Sequence, residues 1–121
     1  MSHKIMIVDD ALFMRKTIRK ILEGSGYTDI VEEADGESAV KAYDVEKPDL
    51  MLLDITMPGI SGLEVLEDII KRDPKAKIIM CSAVGQEMMI QKAILMGASD
   101  FIVKPFKKDE FQKIVMKSLE G

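Results

Sequence analysis

Two apolar runs in this chain of 121 residues stop at carboxylates. Ile5-Met6-Ile7-Val8 ends in Asp9-Asp10, and Leu50-Met51-Leu52-Leu53 ends in Asp54. Two further runs end in other polar groups: Ile78-Ile79-Met80-Cys81 leads to Ser82, and Phe101-Ile102-Val103 leads to Lys104-Pro105. Short, unbroken, aliphatic runs are how strands buried on both faces of a parallel sheet read. The carboxyl ends of such strands share one edge, and ligands bind there. That edge would gather carboxylates, a hydroxyl and an ammonium. Anions held close repel one another unless a cation sits among them. Oxygen ligands of this kind suit a hard divalent cation, above all Mg²⁺. Asp54 would then be a nucleophile suited to phosphoryl transfer, with metal and Lys104 neutralising the phosphoryl oxygens and Ser82 donating a hydrogen bond.

A plainer account exists for each piece. Asp9-Asp10 could cap a helix that starts immediately afterwards. Asp54 before Pro58-Gly59 could be a turn residue. An N-cap, however, needs one carboxylate, not two adjacent and a third on another strand. If the strand ending in Asp54 neighbours the first, the three share a pocket, with Asp54 deepest and Lys104 pairing with it.

The elements that must position these groups follow from periodicity and punctuation. Strands are expected near 4–8, 29–33, 49–53, 77–82 and 99–103, and helices near 11–23, 36–46, 62–72, 86–96 and 107–119. The first helix carries a stripe of Met14, Ile18, Ile21 and Leu22, with Arg15, Lys16, Arg19 and Lys20 opposite. Gly24 or Gly26 ends it, Asp35-Gly36 turns into the second helix, and Pro58-Gly59 with Gly62 marks a tight loop. In the fourth helix Met89, Ala93 and Met96 form one stripe. Met88, Ile90, Ile94 and Leu95 are left over, an excess that suits an interface. The strand 29–33 is partly polar and belongs at an edge. Strict alternation with short connections implies right-handed crossovers, helices on both faces and an α/β, doubly wound, five-stranded parallel sheet.

Composition sets the outer limits. The length fits one domain spanning 1–121. Hydrophobic residues at 47% and charged residues at 31% are a soluble balance. A net charge of −4 argues against nucleic-acid binding. Cys81, the single cysteine, lies in an apolar run and reads as inert core in a reducing compartment. No apolar run approaches the roughly 18 residues of a membrane span, and Met1-Ser2-His3-Lys4 is too short and polar for a signal peptide. The ten methionines read as core filler.

At the carboxylate edge the chain resembles receiver domains of two-component signalling, and among them the single-domain chemotaxis regulators. The matching pieces are Val8-Asp9-Asp10, Asp54-Ile55-Thr56-Met57-Pro58, Gly62, Ser82-Ala83 and Lys104-Pro105-Phe106, in the family's order and spacing. The resemblance implies a flavodoxin-like fold with strand order 2-1-3-4-5. It implies that Asp54 is phosphorylated from a histidine kinase and that Mg²⁺ is the cofactor. Asp10 and Asp54 would bind the metal, Asp9 mainly through water, and Thr56 through its backbone carbonyl. Lys104 would hold the phosphoryl group and Ser82 would move to meet it. Phe101 would be an aromatic switch, where many relatives carry tyrosine; the plainer reading is a core strand residue. Thr56 and Val84 would modulate hydrolysis. Output would pass through the fourth helix, fifth strand and fifth helix, including Ile90, Phe101 and Lys117.

The leading functional expectation is a cytoplasmic, monomeric phosphorylation switch that is not an enzyme. Its partners would be a chemotaxis histidine kinase, a motor switch or adaptor protein, and a phosphatase, without nucleic acid or membrane. A phosphorelay intermediate would share every site residue. A stand-alone metal-dependent phosphohydrolase is the third reading; against it, no general acid or base accompanies Asp54.

Overall fold

The computed structural model describes residues 3–120. Met1 and Ser2, part of the polar start read above, lie outside the described residues, as does Gly121. Strands β1 (Lys4–Val8), β2 (Asp29–Glu33), β3 (Leu50–Asp54), β4 (Ile78–Ala83) and β5 (Asp100–Lys104) alternate with helices. The helices are α1 (Leu12–Gly24), α2 (Gly36–Glu46), α3 (Gly62–Arg72), α4 (Glu87–Met96) and α5 (Lys108–Glu120). The sheet is parallel with order β2-β1-β3-β4-β5, as expected. Every element falls within one residue of its expected bounds. The small shifts have one direction: β3, β4 and β5 each run one residue further, because Asp54, Ala83 and Lys104 still pair across the sheet.

Alternate residues of each run serve opposite faces. Met6, Val8, Met51, Leu53, Ile78 and Met80 pack with Ala39, Val65, Leu66, Ile69 and Ala93 from α2, α3 and α4. Ile5, Ile7, Leu50, Leu52, Ile79 and Ile102 pack with Ile18, Leu22, Phe111, Val115 and Leu119 from α1 and α5. The sheet is thus covered on both sides, which is why its strands read as unbroken apolar runs.

One expectation fails in α4. Met89 is exposed, and Ile90 takes the inward place with Ala93 and Met96. Ile90 precedes Ala93 by three residues, so the two share a face. An almost wholly apolar helix offers more than one such stripe, and packing beside α3 and β4 selects between them.

The β2 edge carries a group that sequence reasoning passed over. Glu32 has a side chain only 12% exposed, and accepts from Arg15 Nε at 3.1 Å, Lys16 Nζ at 3.0 Å and Arg19 Nε at 2.5 Å. Burial pushes its pKa up, but the three cations outweigh burial and hold it below the usual carboxylate range. Its contribution to stability is therefore present above the ordinary glutamate pKa and lost as pH falls through the folded value. Glu32→Gln is expected to cost about 1–2 kcal/mol at neutral pH. Urea unfolding of both proteins should show that difference shrinking toward pH 3.

Candidate functional site

Asp9 stands one residue past β1, and its backbone N–H still donates to the Glu33 carbonyl at 3.2 Å. Its Oδ1 accepts from Ala11 N–H at 2.8 Å and its Oδ2 from Lys104 Nζ at 3.0 Å. Arg15 Nη1 donates to the Asp9 carbonyl at 2.6 Å. The capping account of Asp9-Asp10 fails, because Ala11 is the N-cap of α1 and makes no side-chain cap bond. The expected depth order is also reversed: Asp9 is 2% exposed and Asp54 is 7%. Both strands are flanked on each side and Lys104 reaches both carboxylates, but Arg15 also folds over the end of β1, so Asp9 is enclosed more tightly than the last residue of β3. Asp10 is exposed.

Lys104 ends β5, with β4 and β3 between it and β1. Its flexible four-carbon arm folds back over the strand ends to Asp54 Oδ1 at 3.3 Å as well as to Asp9. Burial works against the ammonium, but the charges of Asp54 and Asp9 more than compensate and hold its pKa above the usual lysine value. Burial pushes the Asp54 carboxyl above its usual range; Lys104 pulls it down and Asp9 pushes it up, leaving a net rise. In metal-free protein the folded state therefore binds this proton more tightly than the unfolded state does. Stability should fall as pH rises from the ordinary aspartate range through the raised Asp54 value. Asp54→Asn removes that dependence and is expected to raise the neutral-pH melting temperature by about 2–5 °C without metal. Thermal unfolding in chelator at pH 4 and pH 7 checks both statements.

Asp9, Asp10 and Asp54 can each present an oxygen within 4.8 Å of the others. This set matches the hard oxygen ligands that Mg²⁺ takes, and its charge exceeds what one lysine neutralises. Ser82 supplies a second sign that the edge is built for a ligand. Its hydroxyl is fully buried and has no hydrogen-bond partner among the described residues. Such a group costs about 1–3 kcal/mol and calls for an acceptor that is added later.

The loop after β3 is fixed from several sides. Ile55 N–H donates to the Cys81 carbonyl at 3.1 Å, and Gly62 N–H closes the loop onto the Ile55 carbonyl at 2.8 Å. Ser61 and Glu64 form a reciprocal capping box on α3. The spacing Ser61-Gly62-Leu63-Glu64 carries that signature, so this cap was legible and was passed over. Gln86 was also missed: it bridges the loop after β4 to Thr56. A single glutamine between a glycine and a helix carries no signal of such a role. Cys81, in register with Asp54, is buried, and burial pushes its thiol up to about 12, in keeping with an inert core group.

Phe101 lies apart from the carboxylates. It is 39% exposed, which removes the core reading, and borders an apolar groove of about 720 Å³ with Ala83, Val84, Ile90, Ile94 and Val103. Ala83 follows Ser82, so the groove begins next to the site.

The family model of the response regulator receiver domain matches residues 5–116. The chain belongs to the response regulator receiver family. It is a CheY-like receiver domain of two-component signalling. It is 51% identical to Chemotaxis protein CheY of Listeria monocytogenes over 97% of this chain and 95% of that protein. It is 47% identical to Chemotaxis protein CheY of Bacillus subtilis, over 98% of this chain and 99% of that protein. Among solved structures, the CheX-CheY-BeF3-Mg²⁺ complex from Borrelia burgdorferi matches with a TM-score of 0.90 and 37% identity, covering 95% of this chain and 87% of that one. Receiver domains bind Mg²⁺ at their acidic pocket, the place of the three carboxylates here. Among the described residues, no helix is long and apolar enough to cross a membrane.

Proposed function

We propose that residues 1–121 act as one receiver domain that takes a phosphoryl group from a chemotaxis histidine kinase on Asp54 and signals to the motility motor in the cytoplasm. The observation that carries this reading is Asp54 itself. It is a buried carboxylate 3.3 Å from Lys104, grouped with two more carboxylates and near a buried hydroxyl that has no partner among the described residues. The names of the CheY relatives support chemotaxis, and the BeF3 and Mg²⁺ of the Borrelia complex support the phosphoryl and metal chemistry.

Asp10, Asp54 and the Thr56 carbonyl would hold Mg²⁺, with Asp9 contributing through water, and the ion would supply charge neutralisation for an anionic nucleophile meeting an anionic phosphoryl group. An Asp54 oxygen attacks phosphorus; the P–N bond to the donor histidine breaks as the P–O bond forms, and the donor ring, already protonated on its other nitrogen, leaves as neutral imidazole. Lys104 donates to the phosphoryl oxygens, and Ser82 gains its missing acceptor. Phe101 then turns toward the groove beside Ala83, and the face of α4, β5 and α5 changes for the motor partner. The chain is a phosphoacceptor switch, with slow autodephosphorylation but no turnover on phosphate esters.

The test presents beryllofluoride-loaded protein to a flagellar motor-switch segment, and phosphorylated protein to a histidine phosphotransfer domain. Loaded protein should bind the motor segment more tightly than unloaded protein. Efficient transfer to the histidine would replace this reading with a phosphorelay, and rapid turnover of phosphate esters with a phosphohydrolase.

A further inference from the structure

The loop between β4 and α4 is held by one side chain. Gln86 Oε1 accepts from Ala83 N–H at 2.7 Å, and Gln86 Nε2 donates to Thr56 Oγ1 at 2.7 Å. The first bond secures the residue next to Ser82. The second anchors the carboxamide to the loop two residues past Asp54. Gln86 is also the N-cap residue of α4, and its carbonyl accepts from Ile90 N–H at 3.0 Å. Gly85 before it sits at φ +96°, a left-handed turn that folds the loop back on itself.

This leaves an asymmetry at the end of β4. Ser82 Oγ is buried with no hydrogen-bond partner among the described residues, while the adjacent Ala83 N–H is satisfied by a side chain that could let go. Ser82 cannot move toward a group on Asp54 without carrying Ala83 along. Ala83 in turn cannot move far while Gln86 holds it to Thr56.

We infer that Gln86 is a positioning residue that latches the Ser82 loop in its resting place, and that the latch must open when a phosphoryl group arrives. The inference rests on the proposed roles of Asp54 and Ser82. The latch opposes the phosphorylated arrangement, because carrying Ala83 toward Asp54 breaks its bond to Gln86. Its release frees the first residue of the α4 cap, so the same event that satisfies Ser82 loosens the start of α4.

Beryllofluoride titration with Mg²⁺, followed by amide NMR shifts, tests this on the whole chain. Gln86→Ala should bind about threefold to tenfold more tightly than wild type. Thr56→Val, which removes one of the two bonds, should show a smaller gain in the same direction. The double variant Gln86→Ala with Thr56→Val should bind no more tightly than Gln86→Ala alone, because the two residues share one latch. Unchanged or weaker binding by Gln86→Ala overturns the latch and leaves Gln86 a helix cap, whatever happens to the melting temperature. Strict additivity of the two substitutions overturns it as well. Wild-type protein that does not bind beryllofluoride overturns the acceptor role of Asp54 and the latch with it, so the two failures are distinct.

Discussion

Gly62→Ala is expected to destabilise the protein by about 3 kcal/mol or more and to weaken beryllofluoride binding in the molecules that still fold. A Cβ on Gly62 would lie 2.1 Å from the Asp54 carbonyl oxygen and 2.8 Å from Ile55 Cα. Both are backbone atoms, so no rotamer change relieves the clash. Gly62 cannot easily retreat, because its N–H is bonded to Ile55 and the Ser61–Glu64 capping box holds the start of α3. The backbone that yields must then be that of Asp54, which moves the reactive carboxylate itself. Gly24→Ala is the control. Among the described residues nothing lies within 4 Å of a Cβ there, so the change should be neutral or stabilising by up to about 1 kcal/mol. Denaturant unfolding of the three proteins decides the point; a Gly62→Ala variant as stable as wild type would mean that the loop after β3 is not packed as described.

Lys104→Ala should have the next largest effect, and that effect should depend on metal. The ammonium pairs with Asp9 and Asp54, whose side chains are 3% and 10% exposed. Removing one member of a buried ion cluster leaves the others uncompensated, at a cost of about 3–5 kcal/mol. Asp54 is already pushed above the usual carboxylate range, so it can take a proton in part compensation. The loss measured in chelator should therefore be smaller at pH 5 than at pH 8. Millimolar Mg²⁺ should recover part of it, since a cation among the three carboxylates replaces the missing charge. Phosphorylation should persist in the variant with Mg²⁺ present, while the response of the Ser82 loop should fall by about tenfold or more. Partner affinity at matched phosphorylation measures that coupling, and equal affinities would remove Lys104 from the switch.

The parallel sheet and the gathering of Asp9, Asp54, Ser82 and Lys104 at one edge were legible because each of these runs ends at a polar residue, while the strand order came from the resemblance to receiver domains. The period of a buried strand and the edge rule for parallel sheets carry that far. Depth was not legible. Asp9 lies deeper than Asp54: Lys104, distant in sequence, reaches both carboxylates, and Arg15 from α1 also folds back onto the Asp9 carbonyl. The α4 stripe was misread at Met89 because a helix so apolar offers two faces, and only packing beside α3 chooses. Glu32 looked like a polar edge residue, yet three cations from α1 converge on it. Gln86 gave no signal, since its two bonds depend on the paths of two loops rather than on a spacing.

Intact mass measurement after incubation with a small phosphodonor tests the central claim most directly. With Mg²⁺, wild-type protein should gain one phosphate, mapped by fragmentation to Asp54. Chelator should suppress the gain, and Asp54→Asn should show none. Undiminished labelling in chelator, or an added phosphate on Asp54→Asn, would contradict the account.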